Sequence, residues 1–164
     1  MRPIKKLFCR TFQTVMHAAI PLLPYREPKI LGNIVDIIPV LKKNNIQTVL
    51  LIAGKRVRGL GLTAPLETGM QENGIAFHNY DRTVPNPTSD NVEEAVALYK
   101  STGCQAIIAV GGGSPMDCAK VVGARVRYPK RSFNRLKGDL KIFRRIPTLF
   151  AVPTTAGTGS EVTL

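Results

Sequence analysis

Three glycines in succession, Gly111, Gly112 and Gly113, stand directly after the apolar run Ala106–Val110 and are followed by Ser114-Pro115-Met116-Asp117. Glycines between a strand and a helix let backbone N–H groups come close to a ligand. Ser114 is placed to cap the helix, Pro115 suits its first turn, and Asp117 takes the position of a capping-box acid. Such a turn is an anion pocket, able to cradle a pyrophosphate on unpaired N–H groups and the positive end of the helix dipole. The spacing is not G-x-G-x-x-G, because Met116 holds the place of the last glycine, and it is not a Walker A loop. A tight turn without a ligand needs only one glycine, whereas three in a row point to close approach.

A second cluster, Pro153-Thr154-Thr155-Ala156-Gly157-Thr158-Gly159-Ser160-Glu161, follows the apolar run Thr148–Val152. In an open parallel sheet the C-terminal strand ends line the ligand crevice, so the two glycine-bearing loops are expected to face one ligand, with hydroxyls for phosphate and ribose. A plain polar loop is the alternative. Asn86 and Thr88 form a third part of the same rim. Metal and acid–base candidates are sparse: His17 and His78 are the two histidines, with no H-x-x-x-H pair and no nucleophile beside a base.

Elements must hold these loops in place. Thr48–Ile52 is apolar on both faces and too short for a helix, as a buried parallel strand should be. Ile75–Tyr80, Ala106–Val110 and Thr148–Val152 read as further strands. Residues 33–43, bent or restarted near Pro39, Ala64–Glu72, residues 90–101 and Ser114–Val126 read as helices. Ile30-Leu31 is a short extended piece, and residues 84–88 are a rigid loop. Strands alternating with helices imply βαβ units: an α/β, Rossmann-like parallel sheet with helices on both faces. Residues 127–146 form a basic connection without periodicity.

At the N-terminus, Leu7, Phe8, Thr11, Phe12, Val15, Met16 and Ala19 recur at helical spacing, followed by Pro21, Pro24 and Pro28. Residues 1–28 are therefore an amphipathic helix and proline connector, and residues 29–164 the main domain. The helix either packs on the domain, lies on a membrane surface, or serves as a transit peptide. Arg10, Gln13 and His17 interrupt a secretory signal, and no apolar stretch is long enough to span a bilayer.

The chain has 164 residues and a formal net charge of +12, with 44% hydrophobic and 21% charged residues, as expected of a folded protein with one main core. The charge is uneven. Residues 1–29 carry +5 and residues 125–145 carry +8, while residues 30–124 balance. A neutral central domain with few aromatics and no RNP-like cluster argues against nucleic-acid recognition. Cys9, Cys104 and Cys118 have no metal-type spacing, and an odd number fits free thiols in a reducing, cytoplasmic setting.

Val84–Thr88 (VPNPT), Gly111–Lys120 (GGGSPMDCAK) and Pro153–Thr163 (PTTAGTGSEVT) together resemble the iron-containing (group III) alcohol dehydrogenases in order and spacing, over roughly residues 28–164. The resemblance implies the N-terminal dinucleotide-binding half of a two-domain oxidoreductase, with NAD or NADP as cofactor and a small alcohol or aldehyde as substrate. Gly111, Gly112, Gly113 and Ser114 would then form the pyrophosphate loop and Asp117 would sit near the cofactor. Thr154, Thr155 and Thr158 would contact phosphate, ribose or nicotinamide, and Asn86 would lie beside the adenosine. The family's Fe²⁺ or Zn²⁺ is held by an aspartate and three histidines downstream of the GTGSEVT segment. This chain stops at Leu164, so no residue here inherits those roles, and the expectation is a fragment without the helical metal-binding domain and without turnover of its own.

Many members of that family place an aspartate at the end of the first strand, where this chain has Ala53-Gly54 followed by Lys55-Arg56. The missing acid and the two cations favour NADP(H) or dual use, with a solvated basic turn as the bland alternative. A glycerol-dehydrogenase-like or dehydroquinate-synthase-like enzyme is the nearest enzymatic rival. A noncatalytic nucleotide-binding or lipid-surface module, with residues 1–28 touching a membrane, is the rival from another class, and a homodimer is compatible with all of these.

Overall fold

A computed structural model describes residues 10–11, 13–14, 28–84, 87–136, 142, 144–157 and 159–160. The chain divides into two compact units, Met1–Ile30 and Leu31–Leu164. In the first, Arg10, Thr11, Gln13 and Thr14 are helical, and the Thr14 hydroxyl donates to the Arg10 carbonyl at 3.0 Å. The rest of the expected amphipathic helix, and the proline connector as far as Glu27, lie outside the described residues.

In the second unit four strands form one sheet: β1 (Thr48–Ala53), β2 (Ala76–Tyr80), β3 (Ala106–Gly111) and β4 (Thr148–Pro153). All three pairings are parallel and the spatial order is β2-β1-β3-β4. The helices are α1 (Ile37–Lys43), α2 (Lys55–Gly59), α3 (Ala64–Glu72), α4 (Ser89–Ser101), α5 (Gly113–Arg127) and α6 (Phe133–Leu136). Alternation along the inner strands decides which helices go where. Val49, Leu51 and Ala53 of β1 share a face with Ala106, Ile108 and Val110 of β3, and pack on α1 and α3 through Ile37, Leu41, Leu66 and Met70. Leu50, Ile52, Ile107 and Ala109 face the other way, onto Val92 and Val96 of α4 and Met116, Ala119 and Val122 of α5. Strands buried on both faces need cover on both, which gives the expected three layers.

The chain leaves β1 toward one edge, returns past it to β3, and continues outward to β4. The direction of travel reverses between β1 and β3, and their C-terminal ends flank the crevice that this reversal opens. β2 has one neighbour, so its face is only half covered, which accounts for its less regular pattern.

Residues 33–43 differ from expectation. The break falls before Pro39: a 3₁₀ turn over Ile34–Asp36 precedes α1, stabilised by a capping box in which Asn33 and Asp36 exchange hydrogen bonds. Pro39 lies in the first turn of α1, where a missing N–H is tolerated. The basic connection is also more structured than its composition suggests. The Arg125 guanidinium donates to Glu93 Oε1 at 2.6 and 2.7 Å and to the carbonyls of Tyr128, Pro129 and Arg131, and it lies 5.2 Å from the Phe133 ring centroid. One cation thus joins α4 to the turn after α5.

Lysine cannot serve a carboxylate and three carbonyls with one fork geometry, so Arg125→Lys should cost about 1–3 kcal/mol of unfolding free energy. Urea unfolding is the measurement, and an unchanged midpoint would remove Arg125 from this role. A second expectation concerns Cys118, which is fully buried on α5, where burial pushes its thiol from 9.0 up to about 11. The folded state disfavours the thiolate, so this stabilisation is complete below about pH 9 and is lost as the pH rises toward 11, on the order of 2 kcal/mol in all. Cys118→Val should flatten the alkaline decline in stability relative to the parent chain; parallel declines would contradict it.

Candidate functional site

At the end of β3 the backbone of Gly111 has φ +148°, and a Cβ there would stand 2.8 Å from Pro115 Cγ. Glycine is required by the turn itself. The next residue, Gly112, is extended and is the N-cap of α5, with no side chain closing the cap. The expected roles of Ser114 and Asp117 are therefore corrected: the cap falls two residues earlier, at Gly112, so Ser114 lies inside the first turn. Asp117 is exposed and faces Lys120 one turn on, at 4.0 Å, instead of reaching back to the cap. Pro115 also falls in the first turn, where it has no N–H to leave unsatisfied.

The contrast with α4 is informative. Its N-terminus lies at the same end of the sheet, but there Thr88 and Asn91 close a reciprocal capping box. The 15-residue α5 keeps its first N–H groups and its positive dipole end free of any side-chain cap. An anionic group placed there would meet donors that no described side chain caps.

The second loop closes against the first. Thr154 N–H donates to the Gly111 carbonyl at 2.9 Å, extending the β3–β4 ladder beyond the strands. A Cβ on Gly112 would lie 3.0 Å from Thr155 Oγ1, so the absent side chain is what lets the hydroxyl sit beside the turn. Gly111, Gly112, Gly113 and Ser114 are thus brought together with Thr154 and Thr155, which are exposed at the mouth of the crevice. This contact was not readable from the sequence, because it depends on the β3–β4 register.

Across the reversal point, Gly54 directly follows β1 and is the N-cap of α2, with nothing within 4 Å of a Cβ built there. Lys55 and Arg56 are exposed, whereas Arg58 is turned toward Glu67 of α3 at 3.5 Å. Asn86 and Thr158 lie outside the described residues. Thr88 has its hydroxyl engaged with Asn91, and it shares with Pro87, Asp117 and Phe133 the lining of a cleft of about 340 Å³.

Among the described residues no three His, Cys, Asp or Glu side chains approach one another as metal ligands do. His78 sits half-buried in the middle of β2. These residues do not fit an iron or zinc centre. No helix among them is long and apolar enough to cross a membrane.

Comparison with known proteins agrees with this geometry. The family described as iron-containing alcohol dehydrogenase matches residues 30–164. The chain is 35% identical over 128 residues to the long-chain primary alcohol dehydrogenase AdhA of Thermoanaerobacter ethanolicus, covering 77% of this chain and 32% of that protein. It is 34% identical to the lactaldehyde reductase of Escherichia coli (strain K12), covering 76% and 33%. Among solved structures, a 1,3-propanediol oxidoreductase superposes with a TM-score of 0.74 at 32% identity, covering 79% of this chain and 34% of that one. The sulfoacetaldehyde reductase of Bifidobacterium kashiwanohense in complex with NAD⁺ gives 0.72 at 25% identity, covering 86% and 38%. The chain spans about a third of the length of the curated relatives it matches. With its parallel sheet, its glycine turn and this match over most of its length, the chain belongs to the iron-containing alcohol dehydrogenase family.

Proposed function

We propose that these residues form the NAD(P)-binding portion of an alcohol or aldehyde oxidoreductase. The observation that carries the reading is the uncapped N-terminus of α5 at the sheet's reversal point, with Thr155 Oγ1 against the bare backbone of Gly112. Gly111, Gly112, Gly113 and Ser114 hold the pyrophosphate by backbone N–H groups and helix dipole. Thr154, Thr155 and Thr158 supply hydroxyls to phosphate, ribose or the nicotinamide side, Asp117 borders the cofactor, and Asn86 lies beside the adenosine. When bound, the nicotinamide supplies a two-electron hydride carrier. The contribution of this chain is to bind that group and aim it. The relatives' names, a lactaldehyde reductase and a long-chain alcohol dehydrogenase among them, support a small alcohol or aldehyde as the substrate of the whole protein. Two buried free thiols, Cys104 and Cys118, suit a reducing, cytoplasmic setting.

The cofactor favoured is NADP(H). In a sheet of this topology the adenosine ribose reaches the strand next to the glycine turn, here β1, where an acid would hydrogen-bond the 2′-hydroxyl and repel a 2′-phosphate. Gly54 offers no such acid, and Lys55 and Arg56 make no ion pair with any described carboxylate.

Titration calorimetry of residues 1–164 with NADPH and NADH tests both parts. Gly112→Val should abolish binding of either dinucleotide while the chain stays folded by circular dichroism, because the new side chain fills the space shared with Thr155. Unchanged affinity would assign the glycine to the turn alone. Gly54→Asp is sterically free, and it should weaken NADPH roughly tenfold or more while leaving NADH nearly unaffected. Equal effects at fixed ionic strength would show that this strand end does not read the 2′ position.

A further inference from the structure

Resting on the reading of Lys55 and Arg56 as the contacts for a 2′-phosphate, we propose that Glu67 is a positioning residue that sets cofactor selectivity through Arg58. α2 has five residues, too few to hold a helical turn unaided, and it has no side-chain cap. Val57 is its one residue packed on the core, and the connection that follows exposes Leu60 and Leu62. What steadies it is polar. Arg58 Nε and Glu67 Oε1 are both buried atoms with no hydrogen-bond partner among the described residues, and they face each other as an ion pair at 3.5 Å.

The two partners are anchored unequally. Glu67 lies on α3, whose Leu66 and Met70 are fully buried in the core. Arg58 lies on the short α2, and its backbone N–H donates to the Gly54 carbonyl at 3.2 Å. A hold on the Arg58 side chain is therefore passed to the turn that begins at Gly54, and so fixes the direction in which Lys55 and Arg56 leave it. Charge works in the same sense. Three cations in one short helix repel one another, and Glu67 neutralises the one that is partly buried, leaving the two exposed ones for a ligand.

The test uses Glu67→Gln, which keeps size and removes charge, with NADPH and NADH titrations of the 164-residue chain. Amide hydrogen exchange at Arg58 and Leu60, whose N–H groups bond to Gly54 and Arg56, is followed in parallel. The expected result is an NADPH affinity lower by about fivefold to tenfold, NADH changed by less than about twofold, faster exchange at those two amides and none at β1 or β3. The charge-swapped double variant Arg58→Glu, Glu67→Arg should restore the NADPH-to-NADH ratio, and it decides the matter if Glu67→Gln fails to fold. Equal loss of both cofactors, parent-like exchange, or a swap that restores nothing overturns the proposal. The control Lys55→Gln, Arg56→Gln separates the two levels. If it leaves the ratio unchanged, the 2′-phosphate reading is wrong. If it shifts the ratio while Glu67→Gln does not, only the positioning role falls. No binding of either dinucleotide by the parent chain overturns both.

Discussion

One backbone hydrogen bond, from the Thr154 N–H to the Gly111 carbonyl at 2.9 Å, ties the two halves of the candidate site together. It continues the pairing of β3 with β4 just past the point where each strand ends, so the two loops leave the sheet side by side. Gly111 can take part because its φ of +148° bends the chain toward Pro115, and Gly112 can follow because no side chain stands between it and Thr155. A slip of one residue in the register would carry Thr155 away from the turn and expose the apolar face of β4. The site thus inherits its geometry from the burial of the strands beneath it, Ile107 on one face and Ile108 on the other, both fully buried.

The strong positive charge of the chain does several different jobs. Arg125 is consumed internally: it holds Glu93 and three carbonyls, and it fastens the segment that leads back toward β4. Arg58 is consumed by Glu67, and Arg82 faces Glu94 at 3.7 Å. Lys55 and Arg56 differ from these in being exposed at the reversal point without an ion pair to any described carboxylate. A net charge counts all of these alike, whereas electrostatic recognition of an anion depends on the cations that the fold leaves unpaired.

The parallel sheet was legible in the sequence because Thr48–Ala53 and Ala106–Gly111 are apolar on both faces, and only a strand covered twice tolerates that pattern. The helix over Ala64–Glu72 was also legible in the sequence. The glycine turn was legible as a turn, but the capping residue was not: Ser114 has the right side chain, yet the helix starts at Gly113, with the extended Gly112 as its N-cap and Pro115 already in its first turn. A break near Pro39 was legible in residues 33–43, but its position between Asp36 and Ile37 is set by the Asn33–Asp36 box, with Pro39 inside the first turn of α1. The contacts Gly112–Thr155, Arg58–Glu67 and Arg125–Glu93 were illegible for one common reason. Each joins segments whose proximity follows from packing and register, which no local pattern encodes.

A chain covering about a third of its relatives' length still carries a coherent candidate site because of the kind of chemistry involved. A metal centre needs several side chains from distant segments at fixed distances. An anion cradle at a helix N-terminus needs a strand, a turn and a helix that are consecutive in sequence, together with the neighbouring strand ends that orient the rest of the ligand. All of these lie between Thr48 and Thr155, within the unit Leu31–Leu164. An anion cradle of this kind is thus a local property of the sheet, whereas a metal centre is not. The described residues leave the N-terminus of α5 without a side-chain cap, at the strand ends where such a cradle is expected.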